Sequence, residues 1–212
     1  MLEKLPDALG HALINQRAGL EKIAFNAIGL RAGMGTLEIR SVAFPDHAPL
    51  PVPYTADGDG LSPPLQWSGL PDGTRSVALI VEDADAPTPQ PLVHAIVVEL
   101  LPRDTALAQG ALPSPDHDGL GIKVGKNSFL EAKWLPPDPP PGHGVHRYAF
   151  QVFALSAAVE FSETPGREEV LDVLRDKAIA SGLLIGTYER PDTSIKDNAT
   201  ASSTLPLSAP AY

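Results

Sequence analysis

Two carboxylates and a histidine stand beside strongly apolar segments, where side chains of this kind could form a site. Asp83 and Asp85 follow the apolar run 76–81, and residues two apart on an extended chain point to the same side. His94 lies inside the next apolar run, 92–100. A carboxylate beside an imidazole stabilises the imidazolium form and fixes the orientation of the ring. Taken alone, His94 is also typical of a core histidine whose hydrogen bonds are satisfied internally.

A second group of polar residues opens the apolar segment 146–155. His146 and Tyr148 are again two apart, so they share a face if a strand begins there. Imidazolium N–H, phenol O–H and loop backbone N–H groups can together hold a phosphate or a carboxylate. The preceding loop, PPDPPPGHG at 136–144, is rich in proline and would lose little entropy when a ligand binds. These residue types therefore indicate an anion-binding pocket.

An enzymatic use of the same residues is the main alternative. An Asp–His pair can act as general acid and base in a hydrolase or a lyase. The sequence has no G-x-S-x-G nucleophile elbow and no cysteine, and Ser62 and Ser128 are more typical of turns. Two histidines three apart in the loop HGVH, 143–146, are only a weak metal signal. We therefore expect no metal and no cofactor.

The net charge and the short apolar runs argue against nucleic acid and membranes as binding partners. The chain has 212 residues and a net charge of −10, so nucleic acid and anionic bilayer surfaces would repel it on average. Charged residues interrupt every apolar run near the N-terminus, and no run approaches the length of about 18 residues that a membrane span needs. We therefore expect a cytoplasmic protein with a small-molecule partner, no nucleic acid and no integral membrane association.

The elements that must position these residues indicate a β-rich domain. The chain contains 23 prolines and 18 glycines, which favour turns and extended segments. The three apolar runs named above are typical of buried strands. A helix is predicted from Thr164 to a stop at Gly182, and a closing strand over 183–188.

Two further segments flank this predicted domain, which covers 34–191. Apolar residues at roughly helical spacing predict an amphipathic helix over 1–30, within an N-terminal extension that covers 1–33. We expect this helix to pack on the domain or on a second copy of the chain. In the second case the protein would be a homodimer. The Ser/Thr/Ala/Pro-rich segment 192–212 predicts a flexible tail.

Segments in the order found here resemble the phosphatidylethanolamine-binding protein family, and most closely its bacterial, Raf-kinase-inhibitor-like branch. They are YTADGDGLSPPLQW, GTRSVALIVEDADAP, LVHAIVV, PPGHGVHRYAFQVFAL and GTY. The D-x-D-A-P and G-x-H-R-Y elements, with a histidine between them, are the specific ones. The resemblance runs from about Phe44 to Arg190.

The resemblance implies a mainly β fold in which a large central antiparallel sheet packs on a smaller sheet, with peripheral helices. It also implies a small pocket for phosphate, acetate or a phospholipid headgroup. The ligand-binding residues that it implies by position are Asp83, Asp85, His94, Pro139, Pro140, His146, Arg147, Tyr148 and Tyr188.

Three departures from the family pattern concern the pocket. Ala84 stands where the family has a proline, and Ala95 stands where a tryptophan often follows the histidine. The stretch WLPPDPPPGHG replaces a G-P-C-P-P-like segment, which alters the pocket rim and the choice of ligand. We predict a binder of anions or phospholipid headgroups with a regulatory role. A hydrolase or lyase and a kinase-inhibitor-like interaction protein are the alternatives.

Overall fold

Two β-sheets form the body of the protein in a computed structural model that describes residues 6–29, 33–114, 119 and 122–190. The strands are β1 (Gly35–Thr36), β2 (Glu38–Arg40), β3 (Ala48–Pro49), β4 (Leu65–Ser68), β5 (Ser76–Asp83), β6 (Leu92–Leu100), β7 (Thr105–Leu107), β8 (His146–Leu155) and β9 (Ala178–Tyr188). The α-helices are α1 (Asp7–Leu13), α2 (Ala24–Ala27) and α3 (Arg167–Lys177), with short 3-10 helices at Leu20–Lys22 and Val52–Tyr54. No helix in the described part of the chain is long and apolar enough to cross a membrane. The predicted tail at 192–212 lies outside the described residues.

The larger sheet has the strand order β1-β9-β8-β5-β6, and β3 also pairs with β9. Strands β6, β5, β8 and β9 pair antiparallel, whereas the short β1 and β3 run parallel to β9. The smaller sheet has the antiparallel order β2-β4-β7. The predicted mainly β fold, with a large sheet, a smaller sheet and peripheral helices, is confirmed.

Strand β5 lies at the centre of the core and is covered on both faces. All its residues are buried, as the unbroken apolar run predicts. Because side chains alternate along a strand, Leu79 and Val81 join the apolar cluster between the sheets, whereas Ala78 and Ile80 join the cluster beneath α3. The same alternation places Asp83 on the side of the sheet that faces the smaller sheet.

The end of helix α3 differs from the prediction. The helix ends at Lys177, and β9 begins at Ala178 with extended backbone, so the predicted stop at Gly182 is wrong. Antiparallel pairing of β9 with β8 along nearly its whole length overrides the helical pattern of the sequence. Glycine at position 182 instead lets the backbone at Leu37 pass close by, because a Cβ there would lie 2.6 Å from the carbonyl oxygen of Leu37.

The predicted continuous helix over 1–30 is also wrong. Among the described residues, α1 ends at Leu13, and the chain then runs extended alongside the turn that follows β5. There the N–H of Ala18 donates to the Ala86 carbonyl at 3.0 Å, and the N–H of Gly19 donates to the Ala84 carbonyl at 2.8 Å. Gly19 has a φ of 104°, which a helix does not allow. Pairing with another part of the chain therefore replaces the helix that local periodicity favours.

Candidate functional site

One cavity of about 530 Å³ opens where the C-terminal end of β5 meets the first residues of β6 and β8. These three strand ends meet at one edge of the sheet because Asp83 pairs with both Leu92 and Tyr148. The volume falls in the range of ordinary small-ligand pockets. The cavity is lined by Ala56, Gly58, Asp59, Gly60, Asp83, Ala86, Pro87, Leu92, His94, Ser114, Phe129, Glu131, Leu135, Pro136, Asp138, Pro139, Pro140 and His146.

A β-bulge directs His94 into this cavity. Val81 pairs with Ala95 and Glu82 pairs with Val93, so His94 is the extra residue between two ladder positions. Its Nδ1 lies 2.6 Å from the Leu135 carbonyl oxygen, and the Leu135 N–H donates back to the His94 carbonyl at 2.8 Å. A carbonyl can only accept, so Nδ1 carries the hydrogen. His94 Nε2 has no hydrogen-bond partner among the described residues.

Burial keeps the His94 ring neutral in the free protein. The side chain is 3% exposed, and the loss of hydration lowers the pKa of His94 below its ordinary value. The nearby Asp83 carboxylate opposes this effect but does not reverse it. Since Nδ1 holds the hydrogen, the neutral ring presents a lone pair at Nε2.

A chain of hydrogen bonds runs from Asp83 through two histidines. His146 Nδ1 lies 2.7 Å from Asp83 Oδ2, and His146 Nε2 lies 2.6 Å from His143 Nδ1. His143 Nε2 then donates to the Leu13 carbonyl at 2.8 Å. Asp83 Oδ1 accepts the backbone N–H of Asp85 at 2.8 Å, which fixes the carboxylate. Both nitrogens of His146 are therefore occupied within the protein, although its ring lines the cavity.

Tyr148 lies beside both imidazoles. Its ring meets that of His94 edge-on with centroids 5.1 Å apart, and it stacks with that of His146 at 6.4 Å. The residue is fully buried, and its hydroxyl has no partner among the described residues. Burial, together with the negative charges of Asp83 and Asp138, raises the pKa of Tyr148 well above its ordinary value. The phenol is therefore a hydrogen-bond donor at every physiological pH.

Among the described residues, four carboxylates line the cavity. Asp59, Glu131 and Asp138 join Asp83 in the wall, and no lysine or arginine belongs to the described lining. The guanidinium of Arg190 lies 2.7 Å from Asp138 and offsets part of this charge. The cavity therefore combines a histidine-lined wall with an acidic surround.

The structure brings together five of the nine residues that the resemblance implied as ligand-binding. Those that line the cavity are Asp83, His94, Pro139, Pro140 and His146. Tyr148 is not in the lining, and its ring packs against two of them.

The other three predicted residues lie outside the lining. Asp85 is fully buried, and its carboxylate accepts two hydrogen bonds of 2.7 Å, one from Nε and one from Nη2 of Arg147. Arg147 leaves β8 on the face opposite to His146, which explains why it does not reach the cavity. The Tyr188 hydroxyl donates to the Asp57 carboxylate.

His143 belongs to the site, although in the sequence it stands out only as part of a weak metal-binding pattern. The HGVH spacing was a weak metal signal, yet in the described ranges no group of three or more histidine, aspartate or glutamate side chains is arranged so that it could hold a metal ion. The spacing instead lets the loop turn back so that the two imidazoles meet directly, with centroids 4.8 Å apart. The glycine between them, Gly144, has a φ of 87°, which makes this turn feasible.

Comparisons with known proteins match most of the chain to one family. The model of the family described as phosphatidylethanolamine-binding protein matches residues 40–189. A UPF0098 protein of Aquifex aeolicus is 36% identical over 161 residues, which is 75% of this chain and 92% of that protein. A UPF0098 protein of Methanothermobacter thermautotrophicus is 33% identical over 156 residues, which is 73% of this chain and 99% of that protein.

Solved structures show the same fold. The crystal structure of Escherichia coli YbcL, described as a member of the mammalian PEBP family, has a TM-score of 0.67 at 28% identity. A PEBP homolog of Chlamydia trachomatis, CT736, has a TM-score of 0.65 at 34% identity. Each alignment covers 74% of this chain and 99% of the solved chain. The family match over residues 40–189, the similar sequences and the shared fold lead to one conclusion: the chain belongs to the phosphatidylethanolamine-binding protein family.

Proposed function

We propose that the cavity binds a small anionic ligand of the phospholipid-headgroup type, with its phosphate against His94. The observation that carries the proposal is the buried His94 Nε2, which lines the cavity and has no partner among the described residues. A buried polar atom of this kind costs free energy in the ligand-free protein, and a bound ligand can recover it. The Tyr148 hydroxyl, on a ring that meets that of His94 edge-on, is a second candidate donor to the phosphate.

The charge of the wall favours a ligand that also carries a cation. Asp59, Glu131 and Asp138 would repel a bare phosphate but attract an ammonium group. A phosphoethanolamine headgroup has both charges within a few bonds. We therefore expect phosphoethanolamine to bind more tightly than inorganic phosphate or ethanolamine alone.

Phosphate binding is expected to take up a proton. His94 is neutral in the free protein because burial lowers its pKa, and a bound anion raises that pKa. A hydrogen bond between His94 Nε2 and a phosphate oxygen needs one hydrogen. Either the imidazole ring or the phosphate, whose second pKa is about 6, can carry it into the complex. The complex thus holds more protons than its separated parts, so affinity should fall as the pH rises from about 6 to about 8. Calorimetry in two buffers of different ionisation enthalpy measures this uptake, and equal heats in both would contradict it.

The variant His94→Asn tests the site directly. The asparagine amide can keep the hydrogen bond to the Leu135 carbonyl that Nδ1 makes, while Nε2 is lost. We expect the affinity for phosphoethanolamine to fall about ten- to a hundredfold, as for the loss of one hydrogen bond to a charged group. Calorimetry on the wild-type and variant chains gives the comparison.

A matched control is His47→Asn. His47 is exposed, lies outside the lining, and has a φ of 60°, which asparagine tolerates. The control should bind like the wild-type chain. Equal affinities of all three proteins would place the ligand elsewhere, and no binding to the wild-type chain would refute the proposed function.

The acid–base alternative finds less support in the geometry. A general base needs a nitrogen that can take a proton from the reacting group. In the Asp83–His146 pair, the second nitrogen of His146 is already bonded to His143. Within the described part of the chain His94 keeps a free Nε2, but its Nδ1 donates to the Leu135 carbonyl and not to a carboxylate, so His94 does not form the Asp–His pair that this alternative needs. Homodimerisation and a cytoplasmic location stay predictions, and light scattering on the full chain tests the former.

A further inference from the structure

The segment before the family domain contacts the back of the cavity wall. Residues 7–19 precede the family match, which begins at residue 40. Helix α1 lies so close to the loop after Pro140 that a Cβ on Gly10 would be 1.9 Å from the Pro141 carbonyl oxygen. The N–H groups of Ala18 and Gly19 pair with the turn after β5. The segment therefore touches both chain stretches that carry the Asp83–His146 pair.

Arg17 joins these two stretches. Its guanidinium donates to the Val145 carbonyl at 2.7 Å and to the His143 carbonyl at 3.1 Å. The same group lies 3.0 Å from the buried Asp85 carboxylate. The loop that carries His143 is thus held in place by a side chain of the segment.

The Leu13 carbonyl adds a chemical constraint. It can only accept, so His143 Nε2 must carry a hydrogen. One more hydrogen lies between His143 Nδ1 and His146 Nε2, and a third lies between His146 Nδ1 and Asp83. Three hydrogens shared by two imidazoles and one carboxylate make the set of three side chains neutral overall. This sum is the same whether the third hydrogen lies nearer the imidazole or the carboxylate.

When the segment, with its Leu13 and Gln16 backbone, moves away from His143, two hydrogens suffice. His143 can then place its only hydrogen on Nδ1 and donate it to His146 Nε2, while His146 donates from Nδ1 to Asp83. Burial lowers the pKa of His143, and the two backbone hydrogen bonds that raise it, to Leu13 and to Gln16, both come from the N-terminal segment. The three side chains would then carry one net negative charge in the cavity wall.

From this count we infer that the N-terminal segment is a positioning element of the cavity: by accepting from His143, it keeps a proton on the Asp83–His146–His143 chain and sets the charge of the wall. Charged or titratable groups next to the histidine pair are Asp83 from β5, His94 from β6, Tyr148 from β8 and Arg17 from the segment. The consequence for ligands rests on the proposed function, whereas the proton count does not.

The test is a count of the hydrogens on the His143 and His146 rings by nitrogen-15 NMR and on the Asp83 carboxyl by carbon-13 NMR, at neutral pH on the full chain without ligand. The three wild-type side chains should carry three hydrogens. Gly10→Val pushes α1 off the loop, and Gly10→Val with Arg17→Gln also removes the clamp, so both variants should show two. Ala12→Val adds the same side chain on the exposed side of α1 and should keep three. Two hydrogens on the three wild-type side chains, or three on those of the double variant, would overturn the inference.

Calorimetry with phosphoethanolamine then measures the consequence. The added negative charge in the wall should weaken binding about tenfold in the double variant and leave Ala12→Val unchanged. A changed count with unchanged affinity would overturn the link between this charge and the ligand. If the wild-type chain binds no ligand, the proposed function fails, and the NMR count alone still decides whether the segment positions the histidines.

Discussion

The variant Arg167→Ala is expected to lower the free energy of unfolding by about 3–5 kcal/mol. Glu82 is fully buried on the face of β5 opposite to the cavity, and Arg167 Nε lies 2.6 Å from its carboxylate. Removing only the arginine leaves a buried charge without its countercharge, which costs far more than the loss of an exposed pair. Chemical denaturation of the two chains measures the difference.

The Arg167 variant should also loosen the N-terminal segment. Arg167 donates to the Lys22 carbonyl at 2.6 Å, and Glu82 accepts the N–H of Ala24 at 2.6 Å. Gln151 completes the network, since it donates to Glu82 at 2.9 Å and accepts the N–H of Phe25 at 2.7 Å. Faster amide hydrogen exchange at Ala24 and Phe25 would report this release.

A matched control exists in the same helix. Arg175 pairs with Asp172 at 2.8 Å, but both side chains are well exposed, so Arg175→Ala should cost at most about 0.5 kcal/mol. The double variant Glu82→Gln with Arg167→Ala should recover part of the loss, because a buried amide costs less than a buried unpaired carboxylate. Similar losses for Arg167→Ala and Arg175→Ala would mean that Glu82 reaches solvent when its partner is removed.

Tyr148→Phe should change affinity and stability in opposite directions. If the phenol donates to the bound phosphate, its loss should weaken phosphoethanolamine binding by about ten- to a hundredfold, as for a hydrogen bond to a charged group. In the ligand-free protein the hydroxyl is buried without a partner among the described residues, so phenylalanine should raise the free energy of unfolding by about 1 kcal/mol. Calorimetry and chemical denaturation on the same preparations separate the two effects.

Tyr54→Phe is the control for this change. Its hydroxyl donates to Gln109 at 3.1 Å and lies outside the cavity lining, so the variant should lose about 1 kcal/mol of stability and keep its affinity. Unchanged affinity in Tyr148→Phe would leave His94 as the contact to the phosphate. A loss of stability in that variant would show that its hydroxyl is satisfied in the folded protein. Opposite signs would identify Tyr148 as a residue that costs stability for the sake of binding.

The sequence by itself determined the central strands and the family. The apolar runs at 76–81, 92–100 and 146–155 lie in buried strands because a strand covered on both faces needs apolar residues at every position. The D-x-D-A-P and H-R-Y elements are short and local, so their order along the chain was enough to indicate the family. The placement of Asp83, His94 and His146 around one cavity also follows from strand ends that meet at one sheet edge.

Only the tertiary structure decided how the neighbours of these residues are used. Arg147 faces away from His146 and pairs with Asp85, because alternate residues of a strand point to opposite faces. Helix α3 gives way to β9 at Ala178, because long antiparallel pairing with β8 outweighs local helical preference. The N-terminal helix ends at Leu13, and its last carbonyl accepts from His143 across more than a hundred residues of chain. Contacts between distant segments determine the hydrogen-bond partners and the charge of the cavity wall, and no local pattern in the sequence records them.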